Sequence, residues 1–178
     1  MDESELSSSF PGGGEEELQE AIRLYGQKIL RYCHNILCDY YEAQDAAQMT
    51  FIKAYEKRRS FTGGTSLSSW LYRIAYTTCV DITRRKKFLL FGLIYDKREE
   101  NRPDFIREDL KAALLTLSPK DRALIFSRVI DERDYAELES VYHASASALR
   151  KRYERARKKL ARRLNGGGAC FTRLEESQ

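Results

Sequence analysis

Apolar residues recur at three- and four-residue steps along most of this chain, which is the period of amphipathic helices. The first such segment covers residues 18–36, and the glutamates at 15–17 occupy its first turn, where the helix dipole favours acids. Asp39 is placed to cap a second helix, and Ser66 is placed to cap a third. Because no stretch sustains the alternation of a β-strand, the pattern predicts an all-α protein.

A second set of helices follows an aperiodic stretch at residues 88–103. Ser118 and Pro119 predict a helix start, since serine caps a helix and proline loses no hydrogen bond at the first helical position. A short helix at 135–141 then precedes a long basic helix at 145–164. His143 lies between them, at a turn where a left-handed residue is often needed. This arrangement predicts a helix-turn-helix motif.

Changes in composition divide the chain into five predicted parts. Residues 1–14 are rich in serine, glycine and acids, which favours disorder. The parts are a disordered N-terminal extension at 1–14, a first helical domain at 15–87, a flexible linker at 88–103, a helix-turn-helix domain at 104–165 and a flexible tail at 166–178. The predicted architecture is two small helical domains joined by a flexible linker.

The chain of 178 residues has a net charge of +4, but its charges are unevenly distributed. Residues 1–20 carry seven acids and no bases, whereas residues 150–163 carry nine bases and one acid. Like charges repel along a helix, so the basic stretch predicts a surface that is neutralised by the phosphates of a nucleic acid. The alternative interpretation is a solvated helix face.

The sequence also limits where the protein is expected to act. Its longest apolar run, at residues 88–95, is far shorter than the roughly 20 residues that a membrane span needs. The N-terminus is acidic where a signal peptide is basic, and four scattered cysteines suit a reducing compartment. We therefore expect a cytoplasmic protein without a membrane span.

A metal site and an enzyme active site are two alternatives that the residues raise. Cys33, His34 and Cys38 are close in sequence, and Cys79 is a further candidate ligand. On a continuous helix, however, Cys33 and Cys38 point in different directions. The chain has only two histidines, and it lacks a phosphate-cradling glycine loop and a metalloprotease motif. We expect no metal, no cofactor and no catalytic residue, and therefore not an enzyme.

The second helix of a helix-turn-helix motif enters the major groove with its first turns against the base edges. The small residues expected to face the groove are Ser145, Ser147 and Ala148, and those expected to reach bases or phosphates are Arg150, Lys151 and Arg155. Leu138, Val141 and Leu149 are expected to form the small core that holds the two helices together.

Six motifs in this order resemble the extracytoplasmic-function class of bacterial RNA polymerase sigma factors, within the sigma-70 family. They are AQDAAQMTFIKAY at 43–55, FTGGTSLSSWLYRIA at 61–75, DITRRK at 81–86, LSPKDR at 117–122, YAEL at 135–138 and RARKKL at 155–160. The resemblance extends over residues 15–164. Its most specific part is the WLYRIA run with the Asp-x-x-Gln segment upstream.

The resemblance implies three binding surfaces. The residues implied to bind the clamp helices of the polymerase large subunit are Asp45, Gln48, Phe51 and Tyr55. The residues implied to bind the minus-ten promoter element are Phe61, Gly64, Ser66, Ser69, Arg73, Arg84 and Arg85. The residues implied to bind the minus-thirty-five element are Ser145, Ser147, Ala148, Arg150, Lys151, Arg152, Arg155 and Lys158. Trp70 is expected to belong mainly to the core.

The same resemblance implies the partners and the function. The partners are the polymerase core, through its clamp helices and flap, and promoter DNA, both as duplex and as a melted single strand. Family members usually have an anti-sigma factor, which is implied as a further partner. The predicted function is a sigma factor that binds core polymerase and directs promoter recognition and transcription initiation. The alternatives are a helix-turn-helix transcriptional regulator and a degenerate sigma homologue that binds polymerase without initiating.

Overall fold

The computed structural model describes residues 2–90 and 107–166, and within these residues every regular element is a helix. The prediction of an all-α fold is confirmed. The elements are α1 (Glu3–Ser9), α2 (Glu15–Leu37), α3 (Tyr40–Glu56), a 3-10 turn (Arg58–Ser60), α4 (Leu67–Leu90), α5 (Glu108–Leu115), α6 (Pro119–Val129), α7 (Tyr135–Tyr142) and α8 (Ala146–Gly166). Within the same residues, no helix combines the length and the apolar character that a membrane crossing requires.

The helices start where the sequence places capping side chains. The side chain of Asp39 accepts a hydrogen bond from the Glu42 N–H at 3.1 Å, and Ser66 Oγ accepts one from the Ser69 N–H at 3.1 Å. Ser118 caps α6 in the same way, with Pro119 in the first turn. These bonds satisfy N–H groups that have no partner inside the helix. The predicted starts of α3, α4 and α6 are confirmed.

His143 ends α7 in the left-handed conformation that the sequence predicted, with a φ of 49°. The turn after it is short, so α8 begins at Ala146 and crosses α7 at once. Leu138, Val141 and Leu149 are all buried between α7, α8 and their neighbours. The helix-turn-helix core is therefore formed by the three residues predicted for it.

The prediction that residues 1–14 are disordered is wrong for residues 2–14. Asp2 and Glu5 form a capping box that starts α1, and each side chain accepts a hydrogen bond from the other residue's N–H. Leu6 and Phe10, one helical turn apart, are 0 % and 1 % exposed. This apolar pair anchors the segment on the first domain, and the following Pro-Gly stretch forms a turn into α2.

Other boundaries are only partly covered by the described residues. The predicted linker begins at residue 88, but α4 continues through Leu90. Residues 91–103 of that linker and residues 167–178 of the predicted tail lie outside the described residues.

The core of the first domain lies between α2, α3 and α4. Tyr32 and Tyr72 from the two long helices meet there, with ring centroids 4.8 Å apart, and both are almost completely buried. Helix α3 contributes mainly small buried residues, namely Ala43, Ala46, Ala47 and Ala54. These small side chains let α3 pack closely against α2 and α4. The opposite face of α3 is exposed.

The second domain packs directly against the first, with α7 on α4 and α6 on α2. The hydroxyl oxygens of Tyr32 and Tyr142 are 2.9 Å apart, and Ser127 Oγ lies 2.8 Å from the same Tyr142 oxygen. The rings of Tyr76 and Tyr142 meet edge-on at 4.7 Å. Burial raises the pKa of Tyr142. Its neutral hydroxyl can donate within this chain of hydroxyls.

Arg122 on α6 joins the two domains through buried hydrogen bonds. Its side chain is buried, and Nε donates to the Ile36 carbonyl oxygen of α2 at 2.6 Å. Nη1 donates to the carbonyl oxygens of Leu117 at 3.0 Å and Leu114 at 3.3 Å. Burial lowers the pKa of this guanidinium. The carbonyl oxygens at the ends of α2 and α5 carry partial negative charge, and they solvate the cation in place of water.

Candidate functional site

The outer face of α3 is the first candidate surface. Asp45 and Gln48, two of the residues implied to bind polymerase, are exposed there. Phe51 is only 6 % exposed and belongs to the core, so its assignment to the surface is corrected. Tyr55 is half-buried, and the Arg58 guanidinium lies 4.0 Å from its ring centroid.

The same face of α3 carries apolar side chains that sequence reasoning missed. Tyr41, Met49 and Ile52 are exposed by 47 %, 42 % and 43 %, and they share one face of the helix. They lie at helical spacing around Asp45 and Gln48, so the five side chains form one mixed stripe. Spacing from Asp45 was the signal that could have found them. Apolar anchors within a polar rim are typical of a protein-binding surface.

Residues 61–70, which we call the minus-ten segment, form the second candidate surface. Gly64 and Ser66 are exposed on its loop, and Gly63 adopts a φ of 75° that other residues rarely take. Phe61 is 3 % exposed and packs on half-buried Trp70, with ring centroids 5.3 Å apart. Both rings therefore lie against the core in this structure. The expectation that Trp70 packs on the core is confirmed, and Phe61 is buried with it.

The other residues implied for minus-ten binding differ in their accessibility. Ser69 is 6 % exposed and accepts a hydrogen bond from Ser66 Oγ at 3.0 Å, so it stabilises the start of α4. Arg73, Arg84 and Arg85 are exposed along α4, and Arg84 pairs with Asp81 at 3.0 Å. Exposed cations of this kind can contact the phosphates of a nucleic acid.

Arg133, in the turn before α7, also contacts the minus-ten segment, although it belongs to the second domain. Its guanidinium donates to Ser68 Oγ at 2.6 Å and to Ser69 Oγ at 3.2 Å. The same group lies 3.9 Å from the ring centroid of Tyr72. No local pattern in the sequence indicates this contact, because it depends on how the two domains dock.

The basic helix α8 is the third candidate surface. Seven of the eight residues implied to bind the minus-thirty-five element are exposed, namely Ser145, Ser147, Ala148, Arg150, Lys151, Arg155 and Lys158. Arg152 is half-buried instead, and its Nε donates to Asp121 Oδ1 at 2.7 Å. Burial raises the pKa of Asp121, but its hydrogen bonds to Ser118 and Arg152 outweigh this effect and leave it below its usual value. Arg152 therefore fastens α8 to α6.

The cysteines considered as metal ligands lie in the interior. Cys33 and Cys79 are completely buried in the core of the first domain, and Cys38 packs among residues of the second. Burial raises the pKa of the Cys79 thiol. Among the described residues, no group of three or more histidine, cysteine or acidic side chains converges as a metal ion would require.

Family models match both halves of the chain. The model for sigma-70 region 2 matches residues 21–88, and a model for sigma-70 region 4 matches residues 107–160, together more than half of the chain. The ECF RNA polymerase sigma factor SigW of Bacillus subtilis is 26 % identical over 170 residues, covering 85 % of this chain and 91 % of SigW. The RNA polymerase sigma factor YlaC of the same species is 29 % identical over 160 residues, covering 84 % of this chain and 92 % of YlaC.

A solved structure has the same fold. The sigma factor RpoE, in complex with the anti-sigma factor NepR from Bartonella quintana, superposes with a TM-score of 0.68 at 20 % identity. The match covers 84 % of this chain and 98 % of that one. The sequence motifs, the order of the two matched regions and the relatives all indicate the same family. The chain belongs to the extracytoplasmic-function class of RNA polymerase sigma factors, in the sigma-70 family.

Proposed function

We propose that this protein binds core RNA polymerase through the outer face of α3 and directs initiation at promoters read by the minus-ten segment and α8. The observation that carries the proposal is the exposed stripe of Tyr41, Asp45, Gln48, Met49 and Ile52 on a chain that also presents an exposed basic recognition helix. Such a protein acts in the bacterial cytoplasm, where polymerase and promoters are.

Run-off transcription tests this function. Purified core polymerase and the full chain are combined with a library of promoter fragments, and transcripts are sequenced. We expect transcripts with common elements upstream, which neither a helix-turn-helix regulator nor a degenerate sigma homologue would give without another sigma factor. Binding to core with no transcript from any fragment would support the degenerate homologue.

The two domains must separate for this function. Duplex DNA rises about 3.4 Å per base pair, so elements that lie one behind the other demand reading surfaces held apart. Here Arg133 covers Ser68 and Ser69 of the minus-ten segment, and α7 packs on α4. We propose that this closed arrangement is the resting form and that polymerase binding favours the open one. An anti-sigma factor is a further proposed partner, supported by the anti-sigma complex of the fold relative.

Replacing both Asp45 and Gln48 with alanine should weaken assembly with core polymerase by about thirtyfold, since two exposed interface residues at about 1 kcal/mol each contribute about 2 kcal/mol. Helicity should be unchanged, because both side chains are exposed. Fluorescence anisotropy of labelled protein titrated with core measures the effect. The matched control is Glu16→Ala with Gln19→Ala, an acid and an amide exposed on α2. Equal assembly of the two double variants would contradict the assignment.

The position of a cation along α8 should decide its role in DNA binding. Arg150→Ala or Lys151→Ala should change discrimination between minus-thirty-five sequences by about 1–3 kcal/mol per base contact, because both lie near the start of the recognition helix. Lys158 and Arg162 lie further along the helix. Replacing either with alanine should weaken binding to all promoter sequences equally, and it should lower the slope of log affinity against log salt concentration by about one unit. Holoenzyme binding to a promoter library at two salt concentrations separates these effects. If all four variants lost the same affinity for every promoter sequence, α8 would contribute electrostatic attraction to DNA and no sequence recognition.

A further inference from the structure

Residues 2–14, which we call the N-terminal strap, lie on the first domain beside the minus-ten segment. The ring of Phe10 meets the ring of Trp70 edge-on at 6.1 Å, and Trp70 in turn packs on Phe61. Arg58 Nε donates to the Gly13 carbonyl oxygen at 2.8 Å, which fixes the turn after α1 to the 3-10 helix. The strap thus contacts the minus-ten segment through Phe10, and the hydrogen bond at Gly13 holds it to the 3-10 turn that precedes this segment.

The strap also carries exposed acids. Asp2, Glu3 and Glu5 are exposed on α1, and residues 1–20 contain seven acids and no bases. DNA phosphates approaching the minus-ten segment would meet this negative charge. The sigma-70 region 2 match begins at residue 21, so the strap lies outside the residues that the family model covers.

We propose that the strap is an autoinhibitory cover for the minus-ten segment. Its apolar side keeps Phe61 and Trp70 packed on the core, which withholds two aromatic rings from the unstacked bases of a melted strand. Its exposed acids repel the backbone of the same strand. Displacement of the strap, when the holoenzyme engages a promoter, removes both obstacles together. This inference rests on the proposed function of the minus-ten segment.

Trp70 gives a local readout, since it is the only tryptophan in the chain. The experiment titrates the full-length protein with mixed-sequence single-stranded DNA of about 12 nucleotides, a length that one binding domain can cover. Quenching of Trp70 fluorescence reports bases that reach the minus-ten segment rather than α8. The charge variant is Glu3→Gln with Glu5→Gln, because glutamine at position 5 keeps the capping box.

The charge variant should reach half-quenching at about fivefold lower DNA concentration than the wild type at low salt, and at nearly equal concentration at high salt, where charge is screened. The control is Glu108→Gln with Asp109→Asn, which changes the net charge equally on exposed α5 residues. It should titrate like the wild type. A second variant, Phe10→Ala, should shift Trp70 emission to longer wavelength without DNA and also bind more tightly, while circular dichroism shows retained helicity.

Two results would overturn the inference. Equal gains in the control and the charge variant would show that net charge alone acts. Unchanged quenching in both strap variants, with helicity retained, would leave the strap a structural element only. Run-off transcription by the wild type separates the two proposals: if it initiates, such results overturn the strap alone, and if it does not, the proposed function fails and the strap inference fails with it.

Discussion

Replacing Arg122 with alanine should lower the free energy of unfolding by about 3 kcal/mol. The carbonyl oxygens of Ile36 and Leu117 lose the donor that satisfies them in a buried site, whereas Leu114 still accepts from the Leu117 N–H at 2.9 Å. Each buried acceptor left without a donor costs about 1–3 kcal/mol. Relief of the cost of burying the guanidinium offsets only part of this, since the cation already has three carbonyl partners.

Urea unfolding followed by circular dichroism measures the loss. Arg122→Met keeps most of the side-chain volume without its donors, and we expect it to lose about 2 kcal/mol, which isolates the hydrogen bonds from packing. Arg157→Ala is the control, because that side chain is exposed and only reaches Glu154 at 3.5 Å; it should change stability by less than about 0.5 kcal/mol. An Arg122→Met variant as stable as the wild type would show that the carbonyl contacts contribute nothing.

The helix starts were predictable because their causes are local. A serine or aspartate three residues before an N–H can cap a helix whatever the rest of the chain does, as Ser66 and Ser118 do. The left-handed His143 was predictable for a similar reason, since two helices that cross closely need a tight turn. Both features depend on neighbours in sequence and hardly on tertiary contacts.

Helix α1 was not predictable in this way. Its seven residues are too few to form a stable helix alone, because the first hydrogen-bonded turn costs more than a short helix returns. Leu6 and Phe10 supply the missing stability only by packing on the first domain. The polar composition of residues 1–14 therefore predicted disorder. The burial of two apolar side chains against the first domain stabilises the helix instead.

The sequence predicted which segment of α3 belongs to the candidate site, but it did not predict which of its side chains face outward. Matching the family motif placed Phe51 beside Asp45 and Gln48, but rotation of α3 turns Phe51 inward and Met49 and Ile52 outward. That rotation is set by which side chains fill the core against α2 and α4. Docking of the two domains is less predictable still, because single contacts such as that of Arg133 leave no period or motif in the sequence.

Locking the two domains together should reduce promoter-directed transcription by more than about tenfold, because activity follows the fraction of protein in the open form. Arg31 on α2 and Asp131 after α6 face each other across the domain contact, with Nη2 and Oδ1 3.2 Å apart. Cysteines at both positions can be joined by a short, reducible bifunctional thiol reagent. Cys33, Cys38 and Cys79 are buried and shielded from it, and Cys170 is replaced by serine.

Transcription with core polymerase is then compared before cross-linking, after it, and after reduction. We expect activity to fall on cross-linking and to return on reduction, since reduction frees the domains without altering any reading surface. Each single-cysteine variant, treated with the same reagent, controls for the modification itself and should stay active. Full activity of the cross-linked protein would mean that the minus-ten segment and α8 read DNA without parting, and the closed form would then be the working form of this sigma factor.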